Sequence, residues 1–260
     1  SIGKAVAFAL DRPFHAVHHL EGHLFSPFLP PPGVPGPAVP PPERFVGLVV
    51  SGGHTSLFGV EDGEVSTLAE TRDDAMGEVF DKVGKRLGLP YPQGPKVDVL
   101  AERGDPAGRP LPVPTCGDSL DFSYSGLKSQ ALLEIEKLER RGVPTRLGEM
   151  AAGDEPREVL DLLAGFRKAA VDEVLDRCRR LHERQGITLL AVSGGAAANR
   201  LLRRELVEWA AAAGVDLRLV PLAYAGDNAA MIAHAALLRH RHGLSDDPLS
   251  AEAASRIPFV

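Results

Sequence analysis

The sequence twice runs an apolar stretch directly into a Ser-Gly-Gly turn, and this feature constrains the fold most. The first copy joins residues 45–50 to 51–53, and the second joins 188–192 to 193–195. Short uninterrupted apolar runs are typical of strands buried on both faces. Glycines after such strands let backbone amides approach an anion, although each turn alone is explained equally well as a structural turn. The repeated pattern predicts an α/β protein in which helices cover a sheet.

The rest of the chain alternates between helical spacing, short strands and one proline-rich segment. Eight prolines lie between Pro30 and Pro42, and they predict an extended connector because proline disrupts both helices and sheet ladders. Two further runs, 56–60 and 64–68, predict a hairpin. Apolar spacing predicts helices at 2–10, 19–28, 74–87, 97–103, 125–140, 158–184, 200–213 and 227–242, and strands at 14–17 and 215–220.

Composition excludes several classes of protein. The chain has 260 residues, 44% of them hydrophobic, and a net charge of −6, so a wholly basic nucleic-acid surface is excluded. Its two cysteines form no CxxC motif, which favours free thiols in a reducing, cytoplasmic compartment. No apolar run has the length of a membrane span. The chain begins at Ser1 within a helical pattern, and we therefore expect a piece of a longer protein.

Two histidines at helical spacing form the sharpest candidate metal site. His19 and His23 are four residues apart, which puts both side chains on one helix face. The zinc-peptidase pattern HExxH would need glutamate where Leu20 stands, and Glu21 points away from the face that the histidines share. An HxxxH pair alone is a weak signal, and ordinary polar helix residues remain the alternative.

Other polar groups have ordinary structural explanations when each is considered alone. Asp81 forms an i,i+4 pair with Lys85, which is typical of a solvated helix face. Asp227 would lie at or near a helix N-cap. Basic clusters at 200–204 and 239–242 are typical of solvated helix ends, with phosphate or RNA contact as the alternative.

Seven segments follow one another in a specific order. They are HHLEGH at 18–23, VSGGHT at 50–55, GEVFDK at 77–82, LGLPYPQGP at 87–95, FSYSGLK at 122–128, VSGGAAANR at 192–200 and GDNAAMI at 226–232. Together they resemble the bacterial tRNA adenosine threonylcarbamoyltransferase family, which was formerly described as O-sialoglycoprotein endopeptidase. The resemblance runs from about residue 2 to the end of the chain. One departure is Gln93, which stands where the family usually has glycine and would strain a backbone that needs positive φ.

The resemblance implies an α/β fold of the actin/Hsp70/sugar-kinase (ASKHA) class, with two lobes around a nucleotide cleft. It also implies that most of the first lobe is missing, so we expect exposed apolar surface near 1–17 and on helix 227–242. The implied domains are a first-lobe remnant with the metal-binding helix at 1–29, a connector at 30–43, the second lobe at 44–222, and a segment at 223–260 that carries Asp227 and a helix packing back toward the first lobe.

The resemblance further implies transfer of a threonylcarbamoyl group from threonylcarbamoyl-AMP to N6 of adenosine 37, in tRNAs that read codons starting with A. AMP is released. The implied metal ligands are His19, His23 and Asp227, which favour Fe²⁺, with Zn²⁺ as the alternative. The residue types indicate no general base. The implied positions that bind threonylcarbamoyl-AMP or another adenine nucleotide such as ATP or AMP are Val49, Val50, Ser51, Gly52, Gly53, Asp81, Gly94, Asp98 and Asn199.

The implied partners are tRNA, a TsaB-like paralogue and a TsaE-like ATPase, with no membrane. Three other functions stay open at this stage. The older description favours a metallopeptidase, the fold class also contains small-molecule kinases, and a chain without its first lobe could be a non-catalytic remnant. The absence of glutamate at position 20 argues against the peptidase.

Overall fold

A computed structural model of the chain describes residues 2–34, 39–253 and 259. Within them five strands form one sheet in the order β3-β2-β1-β4-β5. The first three strands form an antiparallel meander, and β4 and β5 then add in parallel beside β1. The strands are β1 (Arg44–Val50), β2 (Thr55–Glu61), β3 (Glu64–Glu70), β4 (Leu189–Ser193) and β5 (Asp216–Leu219).

Helices cover both faces of this sheet. None of the helices within the described residues has both the length and the apolar character that crossing a membrane requires. Short 3₁₀ turns at Ser26–Phe28, Leu147–Glu149, Gly195–Ala198 and Leu222–Tyr224 link some of the elements. The helices are α1 (Ile2–Ala9), α2 (His19–Phe25), α3 (Met76–Arg86), α4 (Gln93–Ala101), α5 (Ser125–Arg140), α6 (Arg157–Gln185), α7 (Arg200–Ala213) and α8 (Ala229–Arg241).

Strand β1 has no polar side chain after Arg44 because each of its faces contacts a different core. Val46, Leu48 and Val50 pack into the larger core, which is built with residues of α3–α7. Phe45 and Val49 point the other way, into a smaller core formed with α2 and α8. Alternate residues of a strand face opposite sides, so a strand between two helical layers needs apolar residues at both.

The structure corrects two of the predicted elements. The predicted strand at 14–17 is absent from the described residues, where only Phe14 forms an isolated bridge, to Asp246. Helix α4 begins at Gln93, four residues before the predicted start at 97. Pro95 is compatible with this start because a first helical turn needs no donor at that position. The backbone of Gln93 does not have positive φ, and its side chain packs against Gly84, so this substitution causes no strain.

Apolar side chains are exposed on α1, as expected for the region 1–17. Ile2, Phe8 and Leu10 are each more than 60% exposed. On α8 the exposure is smaller, with Leu237 at 42%. The proline-rich connector falls partly outside the described residues, because 35–38 are not among them.

Glu173 of α6 is a buried carboxylate in the larger core. Its side chain is fully inaccessible, and one carboxylate oxygen accepts a hydrogen bond of 2.9 Å from the amide of Ser123. The guanidinium of Arg177 lies 3.6 Å away, too far for a strong bond. Burial raises the pKa of Glu173 to about 8, more than Arg177 lowers it.

We expect Glu173→Gln to gain stability relative to the wild type as pH rises. The folded-state pKa of about 8 lies above the usual 4.5, so the contribution of Glu173 is full below 4.5 and is lost as pH rises through 8. Urea denaturation at pH ~5 and pH ~8 measures the difference in unfolding free energy between variant and wild type. A difference that stays constant between the two pH values would contradict the assignment.

Glu139→Gln is the matched control for this experiment. Glu139 bonds Arg86, and this contact lowers the pKa of Glu139 to about 2. Its contribution is present above the usual pKa of 4.5 and is lost as pH falls from there to about 2, below the range tested. The change in unfolding free energy caused by Glu139→Gln should therefore be the same at both pH values.

Gly165 lets the long helix α6 pass close to the backbone of another segment. A Cβ atom at this position would lie 2.0 Å from the carbonyl oxygen of Arg109. We expect Gly165→Ala to destabilise the chain by ~2 kcal/mol or more, although alanine in a helix ordinarily gains ~1 kcal/mol over glycine. Gly126→Ala in α5 is the control, because its Cβ would meet nothing within 4 Å. Equal unfolding free energies for the two variants in urea would refute this account.

Candidate functional site

Helices α2 and α8 approach closely enough to bring distant polar residues together. The contact depends on Gly22, since a Cβ there would lie 2.8 Å from Ile232 Cδ1 and 3.2 Å from Met231 Cγ. The N-cap of α8 is Asn228, whose side chain accepts from the amide of Met231 at 2.9 Å. Asp227 therefore lies one residue before the cap, near the N-cap as predicted, and its carboxylate is available for other contacts.

The side chains of His19, His23 and Asp227 meet at this contact. The Oδ1 atom of Asp227 lies 3.1 Å from His23 Nε2 and 3.3 Å from His19 Nε2. One ligand atom from each residue lies within 4.8 Å of the others. His23 is fully buried, whereas the side chains of His19 and Asp227 are 48% and 76% exposed. Two imidazoles and one carboxylate that leave an open side suit a divalent ion such as Fe²⁺ or Zn²⁺.

The electrostatics of His23 favour the form that binds metals. Burial lowers the pKa of His23 most, the charge of His19 lowers it further, and Asp227 only partly opposes them. A lowered pKa keeps the imidazole neutral at physiological pH, and neutral imidazole is the metal-binding form. The environment of His23 and the residue types at the cluster therefore both favour metal binding.

The surroundings of the two histidines differ from those of a zinc peptidase. Leu20 is 6% exposed and packs in the smaller core, where HExxH would need a catalytic glutamate. Glu21 points toward α8 and lies 3.5 Å from Arg239, which itself also contacts Asp246. Burial raises the pKa of Glu21, and Arg239 opposes this shift. Arg239, which belongs to the basic cluster at 239–242, thus forms ion pairs within the protein.

The two Ser-Gly-Gly turns lie next to each other. Strands β1 and β4 are parallel neighbours, with Val49 opposite Ser193, so both turns leave the same edge of the sheet. Gly194 has φ of +95°, and a Cβ there would lie 2.3 Å from the carbonyl oxygen of Val50. Only glycine fits this contact. Val50 and Val49 are themselves fully buried, so neither residue is exposed to a ligand in this structure.

The first turn also packs against the start of α3. Gly77 donates its amide to the carbonyl of Ser51 at 3.2 Å, and a Cβ on Gly77 would lie 2.5 Å from that oxygen. Inside the turn, the hydroxyl of Ser51 accepts from the amide of His54 at 3.1 Å. Gly52 and Gly53 are exposed, and no acceptor among the described residues contacts their amides. These two amides are available to an anion.

His54 connects this turn to the histidine cluster, and the sequence interpretation missed it. Burial and then the charges of His19 and His18 lower the pKa of His54. The imidazole therefore lies within electrostatic range of the candidate metal site. The motif SGGHT contains His54, but only the packing of α2 against the sheet brings His54 within range of the histidine cluster.

Asp81 and Gly94 are brought together at the start of α4. The Oδ1 atom of Asp81 accepts from the amides of Gln93 at 3.0 Å and Gly94 at 2.7 Å. Asp81 thus caps α4 from a neighbouring helix, which its predicted pairing with Lys85 did not anticipate. On the same face of α3, an i,i+4 ion pair joins Lys82 to Glu78 at 2.8 Å.

Asp98 and Asn199 meet at the start of α7. The side chain of Asn199 accepts from the amide of Leu202 at 3.0 Å, as an N-cap. The Oδ2 atom of Asp98 accepts from the amide of Arg200 at 3.2 Å. From the basic cluster at 200–204, Arg203 donates to the carbonyls of Ala197 and Val220. The predicted substrate positions therefore surround strand ends and helix starts. The amides of Gln93, Gly94 and Arg200 there are already bonded to Asp81 and Asp98, whereas those of Gly52 and Gly53 are not.

Comparison with known proteins agrees with these observations. The family model described as TsaD, tRNA N6-adenosine threonylcarbamoyltransferase, matches residues 1–234. A protein of that name from Burkholderia thailandensis is 47% identical over 243 residues, which cover 92% of this chain and 66% of the relative. Another from Thermus thermophilus is 42% identical over 261 residues, which cover 100% of this chain and 71% of the relative.

Solved structures show the same architecture at low identity. The structure of HypF from T. kodakarensis has a TM-score of 0.63 and 14% identity, and the match covers 92% of this chain and 38% of HypF. A full-length HypF described as phosphate- and nucleotide-bound has a TM-score of 0.65 and 14% identity, covering 94% and 45%. Likeness at this identity shows the fold alone, and it confirms the predicted ASKHA-like α/β class.

The curated relatives are longer than this chain, which spans about two thirds of their length. Both the family model and the sequence identity nevertheless extend over most of the chain, and they include every segment on which the resemblance was based. The chain belongs to the TsaD family of tRNA N6-adenosine threonylcarbamoyltransferases.

Proposed function

We propose that the protein carrying this chain transfers threonylcarbamoyl from threonylcarbamoyl-AMP to N6 of adenosine in tRNA, and that AMP is released. One observation carries the proposal. The cluster of His19, His23 and Asp227 lies within electrostatic range of His54, and His54 directly follows Gly52 and Gly53, whose amides are exposed. A cation site beside an anion site suits a substrate that has an acyl group on one side of a phosphate.

The acyl half of the substrate would bind at the histidine cluster. A divalent ion there would supply Lewis-acid polarisation of the carbonyl that the amine attacks. His23 is held rigidly by burial, whereas Asp227 and His19 face solvent, so the open side of the cluster faces the incoming substrate. We favour Fe²⁺ over Zn²⁺, because two histidines and one carboxylate are the usual ligands of non-haem Fe²⁺.

The nucleotide half would bind at the edge formed by the two Ser-Gly-Gly turns. The amides of Gly52 and Gly53 would bind the phosphate and stabilise charge on it as AMP leaves. The α4 and α7 starts, with Asp81, Gly94, Asp98 and Asn199, would bind the ribose and adenine. The exocyclic amine attacks the carbonyl carbon, the bond from that carbon to the phosphate oxygen breaks, and one proton leaves the amine. Positioning supplies much of the rate in such a site.

The remaining parts of the proposal concern partners and domains. We infer that tRNA is the acceptor, that the TsaB-like paralogue and the TsaE-like ATPase are partners, and that the reaction takes place in the cytoplasm. We also retain the proposed division into a first-lobe remnant at 1–29, a connector at 30–43, a second lobe at 44–222 and the segment at 223–260. The contact of α2 with α8 supports pairing the first of these with the last.

We expect Asp227→Ala in the full-length protein to remove metal and activity together. The side chain is 76% exposed, so the substitution should leave the fold intact. Losing a ligand should reduce metal content and threonylcarbamoyladenosine in tRNA by more than the ~10-fold that changes around metal ligands cost. Mass spectrometry of tRNA nucleosides measures the modification, in cells whose only copy is the variant. Unchanged threonylcarbamoyladenosine would refute the proposed site.

Asp216→Ala is the matched control for the effect of removing an exposed carboxylate. Asp216 begins β5, its side chain is 54% exposed, and its ion-pair partner is Arg218. We expect wild-type levels of both metal and modified nucleoside, because exposed ion pairs contribute little. Equal losses in both variants would show that the effect of Asp227→Ala is not specific to the site.

Removal and replacement of the metal test which ion the site uses. We expect a chelator to abolish transfer, and anaerobic Fe²⁺ to restore it to a greater extent than Zn²⁺. Transfer of radiolabelled threonylcarbamoyl to tRNA by the purified full-length protein, with the partners it needs, provides the measurement. Better restoration by Zn²⁺ would overturn the choice of iron, and full activity of metal-free protein would overturn the metal site itself.

A further inference from the structure

Arg167 is a buried arginine of α6 that holds two carboxylates of α4. It is 6% exposed. A single terminal nitrogen, Nη1, donates to both the backbone carbonyl and the Oδ1 atom of Asp98, each at 3.1 Å. The same nitrogen contacts the carboxylate of Glu102. Charge-assisted hydrogen bonds of this kind are stronger than neutral ones and fix geometry.

The carboxylate of Asp98 extends this contact to a third helix. While Oδ1 contacts Arg167, Oδ2 accepts from the amide of Arg200, the first residue of α7. The residue before it, Asn199, is the N-cap of α7. One carboxylate therefore joins the middle of α6, the body of α4 and the start of α7.

Helix α4 also carries Gly94, whose amide is held by Asp81 at 2.7 Å. Gly94 and Asp98 are four residues apart, so they lie about one turn apart on the same helix face. A shift of α4 would move Gly94 and Asp98 together, and would change the distance from Asp98 to the start of α7. The position of α4 thus decides how the predicted nucleotide contacts are arranged.

Removing the charge of Arg167 would leave an unfavourable arrangement. Asp98 and Glu102 are also four residues apart on α4, where like charges repel. Asp98 is 6% exposed, and Glu102 is about one third exposed, so solvent screens this repulsion only in part. The repulsion would be relieved by movement of α4 away from α6 and α7.

We propose that Arg167 is a positioning residue for the nucleotide-binding edge. It fixes α4 so that Gly94, Asp98 and Asn199 meet an adenine nucleotide in one arrangement. It does not itself contact the substrate. This inference rests on the proposed function, because it takes these three positions to be nucleotide contacts.

The test compares Arg167→Met, which keeps the length of the side chain without its charge, with Arg167→Lys, which keeps the charge on one nitrogen. The matched control is Arg177→Met, because Arg177 lies on the same helix, is 1% exposed and donates to the carbonyl of Asp121. Each variant of the full-length protein is titrated with AMP by calorimetry. Transfer from threonylcarbamoyl-AMP is then measured to separate KM from kcat.

We expect Arg167→Met to raise the Kd for AMP and the KM about tenfold, the factor that ~1.4 kcal/mol of lost binding produces. The kcat should change less than about twofold, and Arg167→Lys should recover most of the affinity, since three acceptors meet one nitrogen. Arg177→Met should bind AMP like the wild type, even if its melting temperature falls equally. This pattern cannot arise from a general loss of stability.

Three results would overturn the inference. An unchanged Kd for Arg167→Met, equal weakening in the Arg177→Met control, or equal weakening by Arg167→Met and Arg167→Lys would each refute the positioning role while leaving the proposed function intact. A wild-type protein that binds no AMP would instead refute the nucleotide site and this inference with it. If Arg167→Met does not fold, Glu102→Gln replaces it. Weakening one partner of Arg167 should raise the Kd by a smaller factor, and no change in Kd would again refute the role.

Discussion

The parallel pairing of β1 with β4 is the contact on which the arrangement of the site depends. It places Val49 opposite Ser193, and both strands therefore end at one edge. The two turns that follow can then share that edge, but only because Gly194 lets its backbone approach the carbonyl of Val50. Gly77 allows a similar approach of α3 to the first turn. These two glycine-dependent contacts thus concentrate backbone amides where two layers of helices meet.

The histidine cluster depends on a different contact, on the opposite face of the sheet. His23 and Asp227 are 204 residues apart in the chain, and the packing of α2 on α8 through Gly22 brings them together. Asn228 supplies the helix cap, so Asp227 is not needed for it. Assigning these two tasks to adjacent residues gives a short segment both a rigid helix start and a free carboxylate.

Elements that depend on a local residue pattern were predicted correctly from the sequence. Elements whose position depends on a residue far away in the chain were not. The strand at 45–50 and its hairpin followed from apolar runs and turn residues, and they are confirmed. The early start of α4 was missed because its cap, Asp81, lies on another helix. Arg167 and Glu173 resemble surface charges within the long α6 pattern, and only the surrounding helices bury them. The candidate ligand set was predicted through collinear family motifs, since His19-x-x-x-His23 alone is more typical of ordinary polar helix residues.

The two halves of the proposed site lie in different helical layers and meet at one turn. The histidine cluster belongs to the layer of α2 and α8, while Asp81, Gly94, Asp98 and Asn199 belong to the layer of α3, α4 and α7. The turn from Ser51 to His54 contacts the start of α3 at Gly77, and on its other side His54 lies within electrostatic range of His19 and His18. In the proposed reaction the bond that breaks joins the acyl carbon to the phosphate oxygen. A substrate spanning the two layers would place that bond over this turn, where the free amides of Gly52 and Gly53 can stabilise the departing phosphate.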